Sequence, residues 1–273
     1  LGLPLVAAGN GFQLPVKSIP MPRFRYWQGA VGQSLQENET RVLEIVNLAL
    51  TDAGGPPLDS IATLLQADCE WLRTFAELDF YGRRDGERYL GAFPADHFGQ
   101  PPQWPATGDP RVFAYLTPGP ATSTALRALV EAGAAVCLYA PELAAAERSS
   151  LDHERICVAA DPVDITAVAR DSGLFVTNGN LNTVAAALLA GKAQLALPTS
   201  AEKYLNGRRL ELLGAGLAVP QANPGRIPDK LQALLSDGRY TRAAERFAEK
   251  YRAASRETQT RTMLDDLDRI LAL

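Results

Sequence analysis

The region from residue 112 to residue 219 alternates between short apolar runs and longer segments in which apolar residues recur at helical spacing. Apart from Gln194, the runs contain no polar residue and show no alternation, as is typical of strands covered on both faces. Six strands are predicted, at Val112–Leu116, Ala134–Tyr139, Ile156–Ala160, Leu174–Val176, Ala193–Leu197 and Gly216–Val219. The intervening segments predict helices, at Ser123–Ala132, Pro141–Leu151, Asp164–Asp171, Asn182–Leu189 and Lys203–Leu213. This alternation predicts an α/β fold with a doubly wound parallel sheet.

The pattern on either side of this region is less regular. The first part predicts strands at Leu3–Ala8, Trp71–Thr74 and Tyr89–Gly91, and helices at Glu37–Leu50 and Leu58–Gln66. Pro94–Asp109 is rich in Pro, Gly and Gln, which predicts an interdomain linker. The end of the chain predicts a helix at Asp229–Ser236 and then one long charged helix at Arg242–Leu273.

The junction between the fourth strand and the next helix is small and polar. Asn178, Gly179 and Asn180 tolerate left-handed backbone, and Asn182 and Thr183 stand where the helix is expected to begin. A helix N-terminus presents unpaired N–H groups and a partial positive charge, which is worth about 0.3–1 kcal/mol to a nearby anion. The junction therefore predicts a site for a phosphate or a pyrophosphate.

The loops at the carboxyl ends of the strands are the expected ligand-binding edge of such a sheet. They are residues 117–122, 161–164, 178–182 and 198–202. The first of them contains no G-x-G-x-x-G, which disfavours a dinucleotide-dependent or methyl-donor enzyme. The sequence also lacks a Walker A motif and a G-x-S-x-G motif.

Composition restricts the possible partners. The net charge of −4 over 273 residues gives no support for nucleic acid as the main partner. The longest apolar run, Val184–Ala190, is too short for a membrane span. Cys69, Cys137 and Cys157 show no paired spacing, so we interpret them as core thiols in a reducing compartment, and a cytoplasmic location is expected. His97 and His153 lack the spacing of metal ligands, and no metal site is expected.

Residues 177–183, Thr-Asn-Gly-Asn-Leu-Asn-Thr, resemble the donor-binding turn of GT-B glycosyltransferases of the UDP-glycosyltransferase type. That turn has the pattern [ST]-H-G-G-x-x-[ST], followed by an acid, G-x-P, a proline and an acidic/Gln pair. The later positions align without a gap, at Gly191, Pro198, the Glu202–Lys203 pair, Asn206 and the Leu213–Gly216 tail. The resemblance implies a GT-B fold, with a complete C-terminal Rossmann-like domain and part of an N-terminal one.

The resemblance also implies a domain organisation. Residues 1–107 would be the second half of the acceptor-side N-terminal domain and the linker. Residues 108–238 would be the nucleotide-sugar donor domain, and residues 239–273 a C-terminal helix that packs back toward the N-terminal domain. The family's catalytic base, a His near the start of its N-terminal domain, is not in this sequence. The chain is therefore expected to be an interior part of a longer one, nearly inactive alone, with an unfinished sheet in its first domain.

Residue roles follow from the same resemblance. Gly179, Asn182 and Thr183 would hold the donor diphosphate, Glu202 would accept hydrogen bonds from sugar hydroxyls, and the loop at Val163 would line the base. The first loop of the donor domain would close the site. The expected donor-binding residues are Thr117, Gly119, Val163, Asn178, Gly179, Asn180, Asn182, Thr183, Glu202 and Lys203.

Four positions depart from the family pattern. Asn178 replaces the usual His and cannot become a cation facing the phosphates. Asn180 replaces the second Gly and is expected to crowd the turn, and Ala186 replaces the acid that binds the ribose. Lys203 replaces Gln and adds a positive charge near the phosphates or the sugar. Each change weakens the match to an ordinary UDP donor.

The resemblance implies an inverting hexosyltransferase-type glycosyltransferase that uses a UDP or dTDP sugar as substrate and no other cofactor. The acceptor would be a hydroxyl of a small molecule or a lipid, and Phe24–Trp27 would line its site or pack in the core. The alternative is a non-catalytic relative that binds a nucleotide or a partner glycosyltransferase. A sugar-nucleotide epimerase is a weaker third hypothesis, because such an enzyme would need acidic and His residues in the interdomain cleft, and too few are expected there.

Overall fold

The computed structural model describes residues 3–23, 35–95, 98–144, 151 and 153–272. The chain divides into two compact units, Leu1–Gly91 with Glu257–Leu273, and Ala92–Arg256. The predictions made for Phe24–Trp27 and for His97 fall outside the described residues.

The first unit contains a two-stranded parallel sheet, β1 (Val6–Gly9) and β2 (Cys69–Leu72), with Val6 opposite Cys69. Helix α1 (Leu35–Asp52) agrees with its prediction. Helix α2 (Ile61–Leu64) is shorter than the predicted Leu58–Gln66, because the Ser60 hydroxyl accepts a hydrogen bond from the amide of Thr63 and so starts the helix late. The predicted strand at Tyr89–Gly91 is a single bridge between Tyr89 and Leu72.

The second unit contains the predicted doubly wound sheet, which is confirmed. Its strands are β3 (Arg111–Tyr115), β4 (Ala135–Tyr139), β5 (Ile156–Ala159), β6 (Leu174–Thr177), β7 (Ala193–Ala196) and β8 (Gly216–Ala218). They lie in the order β5-β4-β3-β6-β7-β8, and every neighbouring pair is parallel. The strand order reverses between β3 and β6, where sheets of this kind bind ligands at the carboxyl ends of the strands.

Helices cover both faces of this sheet. They are α3 (Pro120–Glu131), α4 (Ile165–Asp171), α5 (Leu181–Leu189), α6 (Ala201–Leu213), α7 (Ile227–Ser236) and α8 (Arg239–Lys250). Val112 and Leu138 are buried in a core cluster with residues of α3 and α7. Phe113 and Phe175 belong to a second cluster with residues of α4 and α5. Of the predicted helix at Pro141–Leu151, residues 141–143 form a turn, and residues 145–150 lie outside the described part.

Two predictions about the ends of this unit require correction. The segment Pro94–Asp109 has neither helix nor strand where it is described, but it belongs to the second unit, because the Gln100 backbone pairs with Pro162 and Asp164 at 2.7 and 2.8 Å. The single helix predicted at Arg242–Leu273 is two helices, α8 and α9 (Arg256–Leu271). Most of α9 belongs to the first unit, where the Gln259 side chain donates hydrogen bonds to two backbone carbonyls at residues 90 and 91.

Candidate functional site

A cleft of about 430 Å³ opens at the carboxyl ends of β3, β4 and β5 and reaches the first turn of α5. This position is beside the point at which the strand order reverses. The lining residues are Pro94, Ala95, Phe98, Phe113, Tyr115, Tyr139, Pro162, Val163, Ile165, Asn182 and Thr183. Its volume and its mainly apolar wall with a few polar groups at one end are typical of small-molecule sites.

The wall of the cleft is aromatic. Tyr115 and Tyr139 lie opposite each other in adjacent strands, with ring centroids 5.3 Å apart and ring planes tilted by 35°. Phe98 also lines the cleft, and 63% of its surface is exposed. Burial raises the pKa of Tyr115, with smaller contributions from Tyr139 and Glu142, so the phenol stays neutral and can donate a hydrogen bond. Such a surface suits a flat heterocycle with polar edges.

The segment before β3 forms part of the same wall. Gly99 has φ +104°, and a Cβ there would lie 2.6 Å from the carbonyl carbon of Val163. Glycine is therefore required for this segment to pack against the loop that follows β5. The two hydrogen bonds of the Gln100 backbone fasten the segment to the same loop. This packing fixes the wall around Val163, the residue that the resemblance places beside the base.

The turn between β6 and α5 differs from its prediction in two respects. Its amides are partly occupied by side chains: Gly179 N–H donates to Thr177 Oγ1 at 3.2 Å, Asn180 N–H to Asn178 Oδ1 at 3.2 Å, and Asn182 N–H to Asn180 Oδ1 at 3.1 Å. Asn180 does not crowd the turn, because it adopts ordinary extended backbone (φ −62°, ψ 133°) and caps α5. The helix therefore begins at Leu181, earlier than predicted.

The first turn of α5 still offers amides to a ligand. Within the described part of the chain, the N–H groups of Leu181 and Thr183 have no hydrogen-bond acceptor. Such groups are the ones that a helix N-terminus leaves unpaired, and they can bind an anion. Since Thr183 also lines the cleft, this end of the cleft combines amide donors, a hydroxyl and the positive end of the helix.

The structure places the expected donor-binding residues in two groups. Val163, Asn182 and Thr183 line the cleft, and the other expected residues do not. Of the residues that sequence reasoning missed, Tyr115 and Tyr139 are the last residues of their strands. Their position at the carboxyl edge of the predicted sheet was the signal that could have identified them.

Gly179 lies in the turn, where it packs against α6. It has φ +82°, and a Cβ there would lie 2.8 Å from the carbonyl oxygen of Lys203. Lys203 Nζ donates a hydrogen bond to Thr199 Oγ1 at 3.0 Å, and Glu202 is half-exposed in the first turn of α6. The close approach of Gly179 to the Lys203 backbone is the contact among these that packs the turn against α6.

Thr117 and Gly119 lie at the N-terminus of α3. The Thr117 carbonyl accepts a hydrogen bond from the Thr122 hydroxyl at 2.6 Å. Gly119 is the N-cap, with φ +152°, and its carbonyl accepts from the amide of Thr122 at 3.1 Å. In this structure both residues shape the start of α3.

Charge and metal ligands are scarce in this region. The described residues that line the cleft carry no formal charge. Among all described residues, no group of three or more His, Cys, Asp or Glu side chains could hold a metal ion. None of the described helices has both the length and the apolar character needed to cross a membrane.

The cysteines are free, and two of them are neighbours. Cys137 of β4 lies opposite Cys157 of β5 in the sheet register, and both line a second cleft of about 200 Å³. Burial raises the pKa of the Cys137 thiol to about 11, against a smaller lowering effect of the Gln103 backbone and with a raising effect of Cys157. Cys137 is a core thiol, whereas Cys69 and Cys157 are half-buried.

No protein-family model matches the sequence. Among curated proteins, UDP-sugar-dependent glycosyltransferase 52 of Dictyostelium discoideum is 33% identical over 73 residues, which are 27% of this chain and 4% of that protein. Its short extent shows a local similarity only.

The chain also resembles solved glycosyltransferase structures. The spinosyn rhamnosyltransferase SpnG superposes with a TM-score of 0.61 at 20% identity, over 81% of this chain and 60% of SpnG. The glycosyltransferase VinC, solved in complex with dTDP, superposes with a TM-score of 0.62 at 18% identity, over 87% of this chain and 60% of VinC. The chain therefore has the GT-B glycosyltransferase fold, and it spans about 60% of the length of these relatives.

Proposed function

We propose that this chain binds a nucleoside diphosphate sugar and takes part in transfer of the sugar to an acceptor hydroxyl, with inversion at the anomeric carbon. The observation that carries the proposal is the cleft in which an aromatic wall meets the first turn of α5. A nucleoside diphosphate has two parts that complement this cleft, a flat heterocycle for the aromatic wall and an anion for the helix N-terminus. The fold of the chain, that of glycosyltransferases, supports a sugar as the group attached to the diphosphate.

The base would lie against Tyr115, Tyr139 and Phe98, and the diphosphate would accept hydrogen bonds from the amides of Leu181 and Thr183. Solved relatives support this choice of nucleotide, because VinC was solved with dTDP and SpnG with thymidine diphosphate and, separately, with spinosyn aglycone. Base–aromatic stacking is worth about 1–3 kcal/mol per base. The wall would therefore supply much of the affinity, and the helix N-terminus would orient the anion.

In the transfer step, an oxygen of the acceptor attacks the anomeric carbon while the bond from that carbon to the diphosphate breaks. The diphosphate leaves with the bonding electrons, and a base takes the acceptor's proton. Attack from the face opposite the leaving group inverts the anomeric carbon. The N-terminus of α5 stabilises the negative charge that grows on the diphosphate. We assign the residues of the cleft and of the first turn of α5 to the donor side of this reaction, at a cytoplasmic site.

A non-catalytic nucleotide-binding relative is the second candidate. The uncharged lining of the cleft favours it, because a leaving diphosphate gains most from a cation. Asn178 and Ala186 favour it as well: Asn178 is buried, with its Oδ1 accepting a hydrogen bond inside the turn, and Ala186 is buried within α5. Neither residue supplies the charge that the resemblance leads one to expect.

Calorimetry with dTDP, UDP and thymidine tests nucleotide binding. We expect saturable binding of dTDP or UDP, tighter than that of the nucleoside by at least about ten- to a hundredfold, because each charge-assisted hydrogen bond to the diphosphate adds about 1.5–3 kcal/mol. If neither dTDP nor UDP binds, nucleotide binding is excluded from the proposal. Release of free dTDP or UDP from the corresponding sugar nucleotides then separates an enzyme from a binding protein.

A further inference from the structure

Asn206 lies in the middle of α6 with none of its surface exposed, and its side chain reaches the turn between β6 and α5. Its Nδ2 donates a hydrogen bond of 2.9 Å to the carbonyl oxygen of Gly179. This is a contact between residues that are 27 positions apart in sequence, so it joins α6 to the turn. The close packing of Gly179 against the Lys203 carbonyl lies one helical turn away and brings the two segments together.

The Asn206 carboxamide is paired through its nitrogen but not through its oxygen. Asn206 Oδ1 is buried and has no hydrogen-bond partner among the described residues. A buried carboxamide oxygen without a partner costs about 1–3 kcal/mol, so a half-paired amide is a poor choice for packing. The Asn206 nitrogen offsets this cost, because Gly179 is also buried and an apolar side chain at position 206 would leave its carbonyl without this donor.

The hydrogen bond fixes the orientation of one peptide group. In a trans peptide the C=O and the following N–H point in opposite directions. Holding the Gly179 carbonyl toward Asn206 therefore turns the N–H of Asn180 away from α6. That N–H donates to Asn178 Oδ1 at 3.2 Å, at the long end of the range for hydrogen bonds, and Asn180 itself is exposed.

We infer that Asn206 is a positioning residue that aims the Asn180 amide at the diphosphate of the ligand, while Asn178 Oδ1 occupies this amide until the anion arrives. The inference rests on the proposed function for the identity of the ligand. It assigns Asn178 a role that does not need the charge of the usual His. The arriving phosphate oxygen replaces a neutral acceptor by a charged one, and such hydrogen bonds are shorter and about twice as strong.

The test compares ligands with and without phosphate in matched variants. Asn206→Leu removes both polar atoms while keeping the branched shape, and Asn206→Asp replaces the donor by an acceptor. Each should weaken dTDP binding about tenfold, because one charge-assisted hydrogen bond is lost, and change thymidine binding by less than about twofold. Equal losses for both ligands, or no loss for dTDP, would overturn the inference.

Gln194 provides a matched control for burial. It is fully buried, its Nε2 donates at 3.0 Å to the Val184 carbonyl, and its Oε1 is buried without a partner among the described residues. Gln194→Leu removes a similar carboxamide without touching the turn, so the affinities for dTDP and thymidine should both stay within about twofold of wild type. A selective loss of dTDP binding in this control would also contradict the assignment to Asn206.

Hydrogen exchange of the Asn180 amide, measured by NMR without any nucleotide, tests the same geometry. The exchange rate should rise at least about tenfold in Asn206→Leu and Asn206→Asp and stay unchanged in Gln194→Leu, because only the first two release the peptide. An unchanged rate in the Asn206 variants would refute the positioning role. If wild type binds no diphosphate, the proposed function fails, and the exchange rates still decide whether Asn206 orients the peptide.

Discussion

Gly179 and Lys203 approach so closely that a Cβ at Gly179 would lie 2.8 Å from the Lys203 carbonyl oxygen. The neighbour is backbone of α6 and cannot rotate away as a flexible side chain could. The turn that precedes α5 is therefore pressed against α6, and the glycine is required both by this approach and by φ +82°.

The first prediction concerns this contact. Gly179→Ala should lower the free energy of unfolding by about 2–4 kcal/mol, because it adds a steric clash to the cost of left-handed backbone. Gly82→Ala is the matched control, since Gly82 has φ +83° and nothing within 4 Å of the added methyl. The control should lose only about 1 kcal/mol. Urea denaturation measures both, and equal losses would show that the approach to α6 is unimportant.

The second prediction concerns the aromatic wall. Phe98→Ala should weaken dTDP binding about tenfold, because one stacking surface of the cleft is lost. Phe98 is 63% exposed, so its removal should leave the melting temperature nearly unchanged. Leu212→Ala, at a side chain that is 58% exposed in α6, removes a comparable apolar group and should leave calorimetric binding as in wild type. Binding of dTDP by Phe98→Ala at wild-type affinity would exclude this wall from the site.

The third prediction concerns Asp266, which is 2% exposed in the first unit. Burial favours a higher pKa for its carboxyl. The hydrogen bond from the Trp71 indole at 2.9 Å and the charges of Arg88 and Arg269 outweigh burial, so the pKa is lowered. A lowered pKa in the folded state stabilises the fold above the unfolded pKa of about 3.9, and this stabilisation is lost as the pH falls through the folded-state value.

Asp266→Asn should therefore reduce the free energy of unfolding by about 1–3 kcal/mol at pH 7, because it removes the charge that pairs with Arg88 and Arg269 and weakens the hydrogen bond from the Trp71 indole. The difference from wild type should be constant near neutral pH and should shrink below about pH 4. Denaturation followed by tryptophan fluorescence measures it, since Trp71 contacts the carboxylate. Asp265→Asn, at the exposed neighbouring position, should have little effect on the free energy of unfolding at neutral pH or in acid. If the difference in free energy of unfolding between wild type and Asp266→Asn grows on acidification, the pKa of Asp266 is not lowered.

The regular part of the fold could be predicted because its strands are covered on both faces. Val112–Leu116 and Ala134–Tyr139 are uninterrupted apolar runs, and the polar junction after β6 marks the start of α5. The break between α8 and α9 could not be predicted, because residues 251–255 contain neither Pro nor Gly. The break lies where the chain leaves one compact unit for the other, and local propensity does not encode that change.

The candidate site was predicted less completely than the fold. Asn182 and Thr183 were identified from the helix start, which is a local signal. Tyr115 and Tyr139 are 24 residues apart and come together only through the register of β3 and β4. The pairing of turn amides with Asn178 and Asn180 side chains was also missed, since a sequence does not show which rotamer an Asn adopts.

The fourth prediction concerns the thiols. Cys137 is 1% exposed and its pKa is raised to about 11, so at pH 8 about one thiol in a thousand is ionised. Native protein treated with iodoacetamide should be alkylated at Cys137 last, behind the half-buried Cys69 and Cys157. Peptide mass spectrometry gives the order, and unfolded protein is the control in which the three rates should converge. Rapid native alkylation of Cys137 would show that it is not a core thiol.

The central claim is that the first turn of α5 binds the diphosphate of a nucleotide. Its most direct test is a titration of ¹⁵N-labelled protein with dTDP, followed through the backbone amides. We predict saturable shifts at Leu181, Asn182 and Thr183 that are much smaller with thymidine, because phosphate oxygens contact the amides of Leu181 and Thr183 and Asn182 lies between them. The account is contradicted if these three amides do not shift at saturating dTDP, or if they shift equally with dTDP and with thymidine.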